Sequence, residues 1–266
     1  MKRYFIELAY NGQSFFGWQT QPSLPSVQET LEQAFSLILR RTIHIVGAGR
    51  TDTGVHAKFY VAHFDTELSL TSEQLLELCR KLNAYLRHNI VIYQIFEVDL
   101  TMHARFSALS RTYQYFIRLH KDPFETEFTY LVHHIPNIER MNEACRLLLQ
   151  YTDFSCFSKS RTQTKTNLCV IKRAFWLQEH DRLVFTIEAN RFLRNMVRAI
   201  VGTLLEVGFA KLSMDDFRRI LEAKDRSQAG ESAPAKALFL TDIQYPELRV
   251  EGGVFNISIK RFKNFM

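Results

Sequence analysis

The stretch with the most side chains able to do chemistry is Gly47-Ala48-Gly49-Arg50-Thr51-Asp52-Thr53-Gly54-Val55-His56-Ala57. Three glycines within eight residues permit a tightly folded loop whose backbone can approach a ligand. If residues 50–52 are locally extended, side chains two apart project to the same side, so Arg50 and Asp52 face one cleft. A guanidinium beside a carboxylate favours its ionised form. Asp52 is then a ready anion without help from histidine or metal. The same residues also suit an Asx-type turn, with a surface aspartate capping its own loop. Residue chemistry alone leaves these two readings level.

Three sharper motifs fit the loop poorly. A phosphate-cradling P-loop needs Gly-Lys-Ser/Thr after its second glycine, and that is absent. Asp52-Thr53-Gly54 spells the aspartic-protease triplet, but those enzymes pair two carboxylates that share one proton. The chain has one such triplet, with an arginine two residues before it that opposes proton sharing. A zinc deaminase needs H-x-E and P-C-x-x-C, and neither occurs.

The loop sits in the first of two halves that share the same order of elements. Residues 3–11 read as a strand, and Ser26-Val27-Gln28-Glu29 as a capping box opening an amphipathic helix to about residue 41. Residues 43–46 and 57–64 are short strands on either side of the glycine loop. A helix over 72–87 and a strand over 91–98 complete a β-α-β-β-α-β half. In the second half, 111–119 is a strand, and Asn137 caps a helix ending near residue 150. Residues 168–177 and 182–189 form a hairpin turning at Glu179-His180-Asp181. Asn190 caps a long helix to about residue 207, and Ser213 starts a shorter one. Strands at 238–243 and 253–259 finish the chain. The expected class is α+β, with two ferredoxin-like (split β-α-β) halves, 1–105 and 106–266, whose antiparallel sheets join around a central cleft. Residues 154–167, rich in Ser, Thr, Lys and Arg, read as a long, mobile, basic loop.

Composition narrows the partners. The 266 residues carry a formal charge of +6, which suits an anionic partner. Cys79, Cys145, Cys156 and Cys169 form no C-x-x-C pair and have no histidine at zinc-finger spacing, so they read as reduced, mostly buried thiols. Residues 1–7 reach an acidic side chain before any signal-type apolar core, and no apolar run approaches membrane-spanning length. The expectation is a soluble, cytoplasmic protein with no membrane association, no metal and no nucleotide cofactor.

Landmarks along nearly the whole chain carry a family resemblance. Residues 49–57 resemble the active-site motif of the TruA family of tRNA pseudouridine synthases. Gly17-Trp18-Gln19-Thr20-Gln21 is similar to that family's early G-W-Q-x-Q segment. His103-Ala104-Arg105-Phe106-Ser107 followed by Arg111-Thr112-Tyr113-Gln114-Tyr115 resembles its H-A-R-F-S and Y-x-Y region. Phe192-Leu193-Arg194-Asn195-Met196-Val197-Arg198 with Gly202 is similar to its F-x-x-x-M-V-R-x-x-x-G helix. Ala223-Lys224-Asp225-Arg226 and Leu238-Phe239-Leu240 complete the order. Departures are Ala57 and Ala237, where glycine is usual in some members, and Gln114, where a basic residue is common. None falls on a residue of the implied chemistry.

The resemblance implies roles position by position. Asp52 is the essential nucleophile, and Arg50 helps displace the target base. Arg198 pairs with the catalytic carboxylate, and Tyr113 packs on the uracil as the proposed base for its C5 proton. Leu238 closes the apolar side of the pocket. The implied reaction converts uridine to pseudouridine on the 3′ side of the tRNA anticodon stem-loop, at positions 38, 39 and 40, by a homodimer without cofactor. Asp52 adds to the uracil ring, attacks C1′ or assists sugar deprotonation; all three routes remain open. Arg191, Arg194 and Arg198 share one stripe of the expected long helix by i, i+3, i+4 spacing. A solvated basic face explains that stripe without function. With the resemblance, Arg191 and Arg194 are left to meet phosphates. Lys159, Arg161 and Lys165 are candidate phosphate contacts in the basic loop. His56, His63 and His103 are taken as structural or RNA-adjacent. A non-catalytic RNA-binding module of ferredoxin-like fold is the alternative, and a hydrolase using Asp52 is a further one.

Overall fold

A computed structural model describes residues 1–86, 88–159, 166–246, 248–250 and 253–255, with side chains described as far as residue 246. The chain divides into two compact units. Unit 1 is Met1–Arg111 with Leu240–Met266, and unit 2 is Thr112–Phe239. The class is α+β, with five helices among the described residues.

Unit 1 begins with strand β1 (Lys2–Tyr10), followed by helix α1 (Val27–Leu39). Ser26 Oγ accepts the Glu29 N–H at 3.2 Å, and this cap starts α1 where the sequence places it. Val27, Leu31, Ala34 and Phe35 form its buried stripe, and Phe35 meets Phe64 at 5.1 Å between ring centroids. Next come β2 (Ile45–Gly47), β3 (His56–Thr66), α2 (Ser72–Leu86) and β4 (Ile90–Val98). The order β4-β1-β3-β2 is antiparallel throughout. β1 is buried along most of its length because it is central, with β3 and β4 on its two sides. A glycine loop therefore leaves the end of β2 and re-enters the sheet at the start of β3.

Unit 2 contains β5 (Ser110–Arg118), which begins just before the unit boundary, and β6 (Tyr130–Leu131), parallel to β5. Helix α3 (Ile138–Leu148) is capped by Asn137, whose Oδ1 accepts the Arg140 N–H at 2.8 Å. Strands β7 (Ile171–Glu179) and β8 (Arg182–Ala189) form the expected hairpin, with His180 left-handed at the turn. Helices α4 (Met196–Gly208) and α5 (Met214–Ala223) follow, and the strand order is β5-β8-β7. α4 is buried on nearly every side, as a core helix must be. The reciprocal Ser213–Asp216 capping box opens α5. β9 (Leu238–Gln244), whose first two residues belong to unit 2, and β10 (Leu248–Val250) and β11 (Gly253–Phe255) of unit 1 end the described chain. β6 and β10 are too short to leave a periodic signal in the sequence.

Two expectations are corrected here. Asn190 caps no helix. Its side chain accepts the Val170 N–H at 2.8 Å and its own N–H donates to the Val170 carbonyl at 3.1 Å. With Asn190 engaged there, α4 starts at Met196 behind a left-handed Asn195, so Arg191 and Arg194 precede the helix and share no helical stripe with Arg198. The basic loop is also anchored at its start. Ser155–Phe157 forms a 3-10 turn, and Phe154, Cys156 and Phe157 are fully buried. Aromatic anchors embedded in a polar run are invisible to composition. All four cysteines are free and buried, and burial pushes the Cys156 thiol up to about 12. Among the described residues, no helix is long and apolar enough to cross a membrane.

Candidate active site

The Asp52 loop is clamped from below. Thr51 is buried, and its hydroxyl lies 2.9 Å from the Tyr10 hydroxyl of β1. Arg50 is exposed and Asp52 half-buried on either side of it. Thr51 is thus turned inward while its two neighbours are more open. The Asp52 carbonyl accepts the Val55 N–H at 3.1 Å, closing a turn over Thr53-Gly54.

Residues 11–18 form the second clamp. The Trp18 N–H donates to the Thr51 carbonyl at 3.3 Å, and the Gly54 N–H to the Phe15 carbonyl at 3.3 Å. Gly12 N–H donates to His56 Nδ1 at 3.1 Å, which gives His56 a structural task at the end of the loop. Gly17 has φ +92°, and a Cβ there would sit 2.4 Å from the Thr51 carbonyl oxygen. Only glycine lets the two backbones approach this closely. The Trp18 indole stacks on Tyr60 at 4.2 Å, and Tyr60 accepts the Gly49 N–H at 3.3 Å while its hydroxyl donates to the Gly49 carbonyl. The G-W-Q segment is thus the floor of the loop.

Arg111 is the third clamp, and no role for it follows from reading the sequence. Its Nη2 donates both to the Ala48 carbonyl at 3.0 Å and to the Arg105 carbonyl at 2.6 Å, and its Nη1 to the Ala108 carbonyl at 3.1 Å. One guanidinium joins the root of the Asp52 loop to the segment 103–107. The available signal was its place immediately before Thr112-Tyr113.

Behind that segment lies a partly buried polar cluster around buried His63. Arg3 forms a two-pronged pair with Asp65, 2.7 Å at each prong, and also donates to the Leu100 and Met102 carbonyls. His63, 3% exposed, accepts the Ala104 N–H on Nδ1 at 3.2 Å. Burial, with Arg3 nearby, lowers its pKa to about 4, so it stays a neutral acceptor. Burial and Arg3 also lower that of His103. The neutral state leaves His103 Nδ1 free to accept from the Arg105 and Phe106 N–H groups.

In unit 2, Tyr113 is half-buried on β5, with its ring edge-on to Phe192 at 5.1 Å. Its strand neighbour Tyr115 is fully buried and donates to the Pro234 carbonyl at 2.9 Å. Arg198 lies in the first turn of α4. Its Nε donates to the Ala233 carbonyl at 2.7 Å, and the Ala233 N–H donates back to the Arg198 carbonyl at 3.0 Å. Asn195 and Arg226 both reach Ser232 Oγ, at 2.6 and 3.0 Å, and Thr203 Oγ1 accepts the Gly230 N–H at 3.0 Å. Segment 230–234 is thereby strapped to α4, and the chain then passes through a 3-10 turn to Leu238, which is 5% exposed. Lys159 and Arg194 meet through the main chain, N–H to carbonyl at 3.2 Å, and both side chains are exposed. Arg191 is half-buried. Arg161 and Lys165 lie outside the described residues. A hollow of about 530 Å³ between α2 and β4 contains none of residues 47–57.

Comparison with known proteins bears directly on this arrangement. The sequence model of the family described as tRNA pseudouridine synthase matches residues 8–107 and 144–246, which include Asp52, Arg198 and Leu238. A protein of Parabacteroides distasonis named tRNA pseudouridine synthase A is 53% identical over 247 residues, covering 93% of this chain and 97% of its own. Proteins with the same name from Bacteroides thetaiotaomicron and Francisella tularensis subsp. novicida are 51% and 39% identical, each over 93% of this chain and over 92% and 95% of their own. A carboxylate loop clamped at Thr51, a strapped Arg198 helix and a family match along both units lead to one conclusion: the chain belongs to the tRNA pseudouridine synthase family.

Proposed function

We propose that this protein is an isomerase that converts uridine to pseudouridine in tRNA, with Asp52 as the nucleophilic carboxylate. The observation that carries the reading is the clamped Arg50-Thr51-Asp52 loop, in a chain that matches the tRNA pseudouridine synthase family over most of its length. A buried Thr51 fixes the backbone, so Asp52 meets substrate from a preorganised position.

In this reading the target nucleotide leaves its helix, and the protein replaces lost stacking and pairing. Arg50 helps expel the base, Tyr113 packs on the uracil and takes the C5 proton, Arg198 pairs with the carboxylate, and Leu238 closes the apolar side. The N-glycosidic bond breaks, the uracil turns, and C5 joins C1′; C5 gives up its proton and the freed N1 takes one up, so the product is an isomer and no net redox or hydrolysis occurs. Residues 1–105 supply Arg50 and Asp52, and residues 106–266 supply the rest. Exposed Arg194 and Lys159, with Arg191 and Arg161, serve phosphates. The strand orders β4-β1-β3-β2 and β5-β8-β7 support a ferredoxin-like description of each half. The reading includes the 3′ side of the anticodon stem-loop as target, positions 38, 39 and 40, a homodimer, and a cytoplasmic site of action.

The test is tritium release. Unmodified tRNA labelled at uridine C5 should lose label to water with wild-type protein and no added metal, nucleotide or reductant. Asp52→Asn should release none. Wild type that binds tRNA yet leaves the label in place would replace the synthase with an RNA-binding module, and a cleaved bond in the product would point to a hydrolase.

A further inference from the structure

Phe106 is an apolar ring that the protein holds out to solvent. It is 76% exposed, yet the turn that carries it has several fixed bonds. His103 Nδ1 accepts the Phe106 N–H at 3.3 Å, Ser107 N–H donates to the His103 carbonyl at 2.9 Å, and Ser107 Oγ accepts the His103 N–H at 2.9 Å. Buried His63 and the Tyr245 hydroxyl secure Ala104 from behind, the latter at 2.5 Å. The His103 ring backs Phe106 at 4.4 Å, and the Arg105 guanidinium lies 5.5 Å from the centre of the Phe106 ring. Exposing a phenyl ring forgoes the stabilisation of burying it, and rigid presentation of that ring has no use in the core.

The position of the turn is set by Arg111, whose Nη2 touches the Ala48 carbonyl at the root of the Asp52 loop and the Arg105 carbonyl at once. An aromatic face with an adjacent guanidinium, tied to a base-processing loop, matches the two features of single-stranded nucleic-acid recognition: a stacking platform and a phosphate partner. We propose that Phe106 is a stacking platform for an RNA base next to the target uridine, with Arg105 meeting the neighbouring phosphate. The inference rests on the synthase reading and adds a substrate-binding residue to it.

The experiment uses the full chain and an anticodon stem-loop RNA with 2-aminopurine beside the target uridine, read by fluorescence and by tRNA affinity. Phe106→Ala and Phe106→Leu should raise Kd about tenfold, the scale of one lost base–aromatic stack, and abolish most of the quenching of 2-aminopurine. Phe106→Trp should restore both to within about twofold. Thermal unfolding should be unchanged in all three, since the ring is exposed. If wild type releases tritium from C5-labelled tRNA and Phe106→Ala matches it in affinity and quenching, the platform is refuted and the synthase reading stands. If Phe106→Ala instead shifts the sedimentation coefficient with affinity and quenching intact, the ring belongs to a protein interface and the proposal fails. No tritium release by wild type overturns the parent reading and this one with it.

Discussion

At the scale of single residues, position in the loop separates chemistry from support. Arg50 is exposed and Asp52 half-buried, whereas Thr51 between them is buried and spent on Tyr10. Asp52→Asn keeps the size and hydrogen-bonding capacity of this half-buried side chain and should unfold within about 1–2 kcal/mol of wild type, while turnover disappears; a stability loss above about 4 kcal/mol in denaturant titration would make the residue structural. Arg198 holds the Ala233 carbonyl through Nε as well as carrying charge. Arg198→Lys keeps the charge but loses that donor and the planar fork. Its kcat should fall by about tenfold or more, a loss of at least ~1.4 kcal/mol of transition-state stabilisation, beyond any change in melting temperature. A single-turnover rate equal to wild type would remove Arg198 from the chemistry. Only the family resemblance distinguishes Tyr113. A half-buried strand tyrosine beside Phe192 has no local signature that distinguishes it from an ordinary packing ring.

At the scale of elements, local signals succeeded where the cap and its helix are neighbours in the chain. Ser26, Asn137 and Ser213 each bond the backbone three residues on, within reach of any sequence window. Asn190 failed as a cap because Val170, 20 residues earlier, takes both its side chain and its backbone. Asn195 takes the left-handed cap position instead and bonds Ser232. Asn195→Ala should cost about 1–3 kcal/mol, from the left-handed backbone and the lost hydrogen bond, and Asn195→Gly should cost less because only the bond is lost. Equal urea midpoints for the two variants would show that the backbone conformation carries no strain. The loop floor supplies a sharper contrast. Gly17→Ala forces a Cβ to 2.4 Å from the Thr51 carbonyl at positive φ, whereas a Cβ at Gly49 meets nothing within 4 Å. Gly17→Ala should lose roughly 2–4 kcal/mol and most turnover, and Gly49→Ala should stay within about 0.5 kcal/mol.

At the scale of the whole molecule, charge and buried histidines set the response to solution conditions. With a net charge of +6 and exposed Lys159 and Arg194, tRNA affinity should fall by roughly tenfold or more between about 50 and 200 mM salt, as phosphate contacts release counterions; a flat salt profile would argue against a polyanionic substrate. Protons act through His63, whose pKa falls from 6.5 to about 4 on folding. Above pH 6.5 both states are neutral and nothing is lost. Between 6.5 and about 4 the unfolded chain takes up a proton that the folded chain refuses, so stability falls, by up to roughly 3 kcal/mol for His63. His103 shifts the same way, whereas the lowered carboxylate of Asp65 matters only below its ordinary value of 3.8. His63→Gln, which keeps an acceptor for Ala104, should flatten most of this slope in urea titrations; an unchanged slope would place the effect elsewhere. The order of the longer elements and the loop that holds Asp52 are legible in the linear chain, because alternation, caps and glycine spacing are written within a few residues of one another, and the family is legible through the resemblance of residues 49–57 and the other landmarks. Tertiary structure alone decided which groups serve that loop. Thr51 reaches Tyr10 across 41 residues, Arg111 reaches Ala48 across 63, and Asn190 is drawn away from α4 by Val170. A buried donor or acceptor must find a partner wherever the fold brings one, and linear spacing carries no record of that choice.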